Sequence, residues 1–76
     1  MIRIIIKNRK NGTREYYIDN GREHIQVENL VYYTVNTNNN IIVKLSYELV
    51  DSEGIRKQIK EDLINTKVNI QKITEL

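Results

Sequence analysis

Few side chains in this sequence could do chemistry, and their spacing limits them further. His24 is the single histidine, and the chain contains no cysteine. A zinc site takes about three or four nitrogen, sulfur or carboxylate ligands. Here only carboxylates could join His24, so it reads as a surface or rim residue. General-base work would also need a positioned nucleophile and an orienting group, and neither is in evidence. Paired carboxylates occur at Asp51/Glu53 and Glu61/Asp62. Glycosidase chemistry needs two carboxyls across a cleft, one with a raised pKa. The first pair instead flanks an expected helix start, where negative charge is favourable in any case. The second pair falls on the wet side of that helix. Ser46 is expected mid-strand and Ser52 at a cap, so neither fits a nucleophile elbow. The three glycines are isolated, so no loop can cradle a phosphate. The sequence therefore points away from an enzyme and implies no catalytic residue, metal or cofactor.

The elements that must position everything else centre on Val31–Val50. Ile41, Val43, Leu45, Tyr47 and Leu49 alternate with Ile42, Lys44, Ser46, Glu48 and Val50. Successive strand residues point to opposite faces, so this period of two marks a half-buried strand. Leu30–Val35 is rich in Val, Tyr and Thr, which suit a pleated surface. The run Asn36–Asn40 between them reads as a loop, because Asn supports its own turns. Taking those residues as the loop sets Val35 against Ile41, Tyr33 against Val43 and Val31 against Leu45. One face is then continuously apolar, and a slip of one residue would mix the two sets.

Upstream, Met1–Lys7 alternates isoleucine with Arg3, Ile5 and Lys7. Asn11-Gly12 signals a turn. A loop of Lys10, Asn11 and Gly12, with Gly12 in the left-handed bulge position, pairs Ile6 with Tyr16 and Ile4 with Ile18. It also sets Lys7 against Glu15 and Arg3 against Asp19. At Asn20-Gly21 a two-residue turn would pair Asp19 with Arg22, Tyr16 with Ile25 and Tyr17 with His24. One apolar face then carries Ile2, Ile4, Ile6, Tyr16, Ile18, Ile25 and Val27. An irregular joint is expected at residues 28–30, because a tight turn there would reverse the parity.

Downstream, Asp51-Ser52 ends the sheet and can cap a helix. Ile55, Ile59 and Leu63 form a narrow stripe at helical spacing, supported by Glu53 four residues before Lys57. Val68–Ile73 alternates briefly and reads as a short last strand, with a continued helix as the competing reading. The expected class is α+β: a five-stranded antiparallel meander, one helix packed on one face, and a short C-terminal strand.

Length and composition set the class of function. Residues 1–76 are expected to form a single domain. A chain this small buries only about 60% of its unfolded surface, so its stability is modest. No stretch reaches membrane-spanning length. Met1–Lys7 is too short and too charged for a signal peptide. Freedom from cysteine favours the cytoplasm. The net charge is +2, with acids and bases interleaved. That balance does not demand nucleic acid. The richness in Ile, Asn, Lys and Tyr matches A/T-rich codons, which suggests a bacterial or phage source.

These registers draw a second sheet face bearing Arg3, Ile5, Lys7, Tyr17, His24, Gln26, Tyr32, Ile42 and Lys44. Three readings compete for it. It is an ordinary face, solvated or covered by the C-terminal segment, since scattered surface apolar groups are normal. It is a protein-binding face, since tyrosine and apolar patches mark partners. Or it is a single-stranded nucleic-acid platform, with Tyr17 and Tyr32 stacking on bases and Arg3, Lys7 and Lys44 meeting phosphates. A basic cluster of Lys7, Arg9, Lys10 and Arg14 surrounds the first turn and reads mainly as solvated charge. The sequence thus suggests a small non-enzymatic protein acting through protein contacts, a regulator or inhibitor from a phage or mobile element. A homodimer is a natural form for it, by the second face or edge to edge through the first or last strand.

Overall fold

A computed structural model describes residues 1–76. The chain is all β, with no helix: β1 (Ile2–Asn8), β2 (Arg14–Asp19), β3 (His24–Asn36), β4 (Ile41–Val50), β5 (Arg56–Ile64) and β6 (Val68–Thr74). Hydrogen-bonded neighbours run β5-β4-β3-β2-β1-β6, antiparallel throughout except for the parallel pair β1–β6. With no helix present, none is long and apolar enough to cross a membrane. Contacts divide the chain into two compact units. One comprises Met1–Val27 with Lys67–Leu76, the other Glu28–Thr66.

In the first unit the β1–β2 register is the expected one, with Ile4 opposite Ile18, Ile6 opposite Tyr16 and Lys7 opposite Glu15. Its turn is closed by the Arg9 amide donating to the Thr13 carbonyl (2.9 Å) and the Gly12 amide to the Arg9 carbonyl (3.1 Å). Gly12 takes a φ of +87°, the left-handed conformation that the bulge requires. The β2–β3 turn is longer than the expected two residues. Asp19 pairs with His24, and Tyr17 with Gln26. Side-chain oxygens hold the extra residues: Asn20 Oδ1 accepts from the Arg22 and Glu23 amides (2.9 and 2.8 Å), and Asp19 Oδ1 from Gly21 (2.8 Å). The slip is two residues, so every side chain keeps its expected face. Ile4, Ile18 and Val27 on that face are buried, Ile4 completely.

The expected terminal strand exists, but it extends no meander. β6 lies parallel to β1, with Ile4 beside Ile70 and Ile5 beside Gln71. Bonds at either end, Ile2 to Lys67 (3.0 Å) and Glu75 to Asn8 (2.9 Å), fasten it there.

Two segments expected as separate strands form the 13-residue β3, of which the part from Glu28 onward belongs to the second unit. The irregularity foreseen at 28–30 is a bulge, where Glu28 pairs with Glu48 and Val31 with Ser46. Asn29 occupies it with φ +52°, and its side-chain Nδ2 donates to Glu48 Oε2 (3.0 Å). The β3–β4 hairpin differs from the expected register by one residue: Val35 faces Ile42, Tyr33 faces Lys44 and Tyr32 faces Leu45. The turn chemistry decides this. Asn36 stays in the ladder, and only Thr37–Asn40 turns, fastened by the Thr37 amide on the Asn40 carbonyl (2.8 Å) and the Asn40 amide on Thr37 Oγ1 (3.0 Å).

The expected α+β class and its packed helix are overturned by β5, which runs antiparallel to β4 along nine residues. Asp51 caps a hairpin turn instead of a helix. Its Oδ1 accepts from the Glu53 and Ile55 amides (2.9 Å each), and its amide donates to the Ile55 carbonyl (3.0 Å). Gly54 there has φ +80°. Ile59 and Leu63, four apart, share a face in a strand as they do on a helix. They join buried Val43, Leu45 and Tyr47 on that side of the ladder.

Candidate partner-binding surface

In the first unit, the face opposite Ile4 carries Arg3, Ile5, Lys7, Tyr17 and His24, as the registers required. Ile5 is itself buried on this face, so it offers a partner nothing. The groups around it are already engaged. Lys7 Nζ stands 4.8 Å from the Tyr17 ring centroid, a cation–π contact. The Tyr17 and His24 rings lie 5.1 Å apart and tilted by 40°. They meet diagonally, not as directly opposed residues. His24 Nδ1 is 3.9 Å from Asp19 Oδ2. Glu15 receives Arg9 and, at 3.5 Å, the Tyr17 hydroxyl. Arg9 also bonds Glu75 (3.0 Å). These bonds, with Glu15 first and Glu75 second, raise the Arg9 pKa well above its ordinary value. Arg14 of the basic turn cluster donates to Asn8 Oδ1 (2.9 Å).

The second unit supplies Ile42 and Lys44, but Tyr32 lies on the other face, opposite Leu45. Its place beside Ile42 and Lys44 is taken by Tyr33. That face also presents Val31 and Val35 from β3 and Ile64 from β5. Val31, Tyr33 and Ile64 are 59%, 57% and 61% exposed. Lys44 crosses to Asp62 (2.7 Å), and this hydrogen bond is the main cause of its raised pKa. Arg56 bonds Glu28 and, at 3.3 Å, Glu48. An open groove here is lined by Val31, Tyr33, Lys44, Ser46, Gln58 and Asp62.

Sequence reasoning missed Tyr33, Val31 and Ile64. Tyr32 and Tyr33 are adjacent, so only the register chooses between them. Ile64 escapes that reasoning because the helical spacing of Ile55, Ile59 and Leu63 gives its segment no sheet face. No three His, Asp or Glu side chains converge well enough to hold a metal ion. No polar or charged side chain is buried. Comparison with protein-family models, with curated proteins and with solved structures finds no match.

Proposed function

We propose that this is a small non-enzymatic binding protein that engages a protein partner through the β3–β4–β5 face. The supporting observation is the exposure of Val31, Tyr33, Val35 and Ile64 on one side of one ladder, around half-buried Ile42. Apolar and tyrosine side chains grouped this way gain most from a partner that removes them from water. The polar groups beside them, Lys44, Asp62 and Arg56, are suited to a rim.

The nucleic-acid reading fits less well. Stacking needs ring faces beside unspent cations. Tyr17 already has Lys7 over its ring, Lys44 is spent on Asp62, and Tyr32 is on the face away from Lys44. A regulator or inhibitor of phage or mobile-element origin, working in the cytoplasm, remains the setting that coding bias, size and freedom from cysteine suggest.

A photo-crosslinking residue at position 33, expressed in the source organism, tests the reading. A discrete adduct with one other protein is expected, and the same probe at position 26 should give none. Adducts with nucleic acid, or none at all, would reject it.

A further inference from the structure

β5 ends the strand order and has one hydrogen-bonded neighbour, β4. Antiparallel pairs alternate between bonded and non-bonded residues. The bonds from Asp51 to Ile55 and from Asn65 to Ile41 mark where the bonded pairs fall. Ile55, Lys57, Ile59, Glu61 and Leu63 therefore aim their amides and carbonyls at β4. Arg56, Gln58, Lys60, Asp62 and Ile64 aim theirs away from it. Apart from half-buried Ile59 and Leu63, all of β5 is exposed.

An open edge of this kind invites another strand. Its charge order says which strand fits. The first half of β5 is basic, with Arg56, Lys57 and Lys60; the second is acidic, with Glu61 and Asp62. Such a strand is complementary to itself when reversed. We propose that a second copy of this chain joins edge to edge along β5, antiparallel, about a two-fold axis at Ile59.

Neighbouring registers fit worse. An axis at Lys60 or Glu61 sets like charges face to face, and one at Gln58 sets Arg56 against Lys60. An axis at Ile59 sets Lys57 against Glu61 and Arg56 against Asp62, each twice, and Gln58 against Lys60. No like charges meet. Outward-facing Gln58 and Lys60, and Arg56 and Asp62, become the bonded pairs, while Ile59 meets Ile59. The ion pairs within each copy extend the pattern. Glu48 and Arg56 of one copy continue into Asp62 and Lys44 of the other, alternating in sign. This inference does not rest on the proposed partner face, and its test leaves Tyr33 untouched.

Sedimentation equilibrium from about 1 to 100 μM, the range in which many weak dimers form, should show a monomer–dimer equilibrium. Lys57→Glu and Glu61→Lys should each weaken it by about tenfold or more, because like charges then oppose each other twice. Mixing the two variants should restore association, since the mixed pair has every charge matched again. Circular dichroism checks that both variants are folded. Independently, Ile59→Cys places the chain's only cysteine on the axis. Opposed non-bonded residues lie close enough for a disulfide, so oxidation should give a covalent dimer, while Gln58→Cys should not. A wild type monomeric throughout, a mixture no tighter than its components, or no dimer from Ile59→Cys would each overturn the proposal.

Discussion

The solvent faces of two ladders in this molecule use charge in opposite ways. Beside β1 and β2, ions and rings gather around an aliphatic residue: Ile5 is buried, with Tyr17 and Gln71 as cross-strand neighbours and Lys7 over the Tyr17 ring. Arg9 draws Glu15 and Glu75 together at the same end. Along β3, β4 and β5 the ion pairs run sideways between strands, Lys44 to Asp62 and Arg56 to Glu48. They leave Val31, Tyr33 and Ile64 uncovered. Similar compositions thus give one face that is finished and one that is open. In the first, Lys7 lies over the Tyr17 ring, the cross-strand neighbour of Ile5; in the second, Lys44 and Arg56 reach only carboxylates.

The sharpest way to break this contrast is to truncate one residue from each face. Ile5→Ala should cost about 2–4 kcal/mol, by lost transfer energy and a residual cavity. Tyr33→Ala should cost no more than about 0.5 kcal/mol, as exposed sites do. Urea denaturation measures both, and comparable losses would erase the distinction.

A second comparison concerns the two turns that share one geometry. Gly12 and Gly54 have φ of +87° and +80°, and a Cβ at either would meet nothing within 4 Å. Only backbone strain should therefore count, so Gly12→Ala and Gly54→Ala should each cost about 1–2 kcal/mol. A large inequality in urea would mean that the turns are not equivalent.

The smallest effect expected is at alkaline pH. Asp62 raises the Lys44 pKa above 10.5. A group whose pKa is raised by folding stabilises fully below its unfolded value, and that contribution fades as pH rises through the folded value. The urea midpoint should thus carry a Lys44 contribution that is constant near neutrality and lost beyond pH 10.5. Lys44→Arg, which keeps its charge, should remove that part of the decline.

These contrasts also explain how far the sequence could be read. The β1–β2 register was legible because isoleucines and two charge pairs agree on one solution, and the Asn11-Gly12 turn admits it. The β2–β3 turn is two residues longer than its Asn-Gly signal implies, since Asn20 holds a longer loop with its side chain. A slip of two leaves faces unchanged, so Tyr17 and His24 still fell together. The β3–β4 slip of one moved Tyr32 off the candidate surface and Tyr33 onto it. Val31–Val35 has apolar groups on both parities, so alternation could not choose; the bond between Thr37 and Asn40 did. The helix expected around Ile59 failed because spacing by four serves helix and strand alike, and because Asp51 caps either structure. Parallel pairing of β6 depends on β1, more than sixty residues away, and nothing local in Val68–Thr74 announces it.

That parallel pairing has a consequence for synthesis on the ribosome. β3, β4 and β5 are joined by short hairpins and can zip up as they emerge, since neighbours in sequence meet quickly. β1 is made early, yet its neighbour β6 is made last. Until then the nascent chain carries a bare isoleucine-rich edge, so translational pausing before Val68 should prolong the interval in which that strand is open to wrong partners.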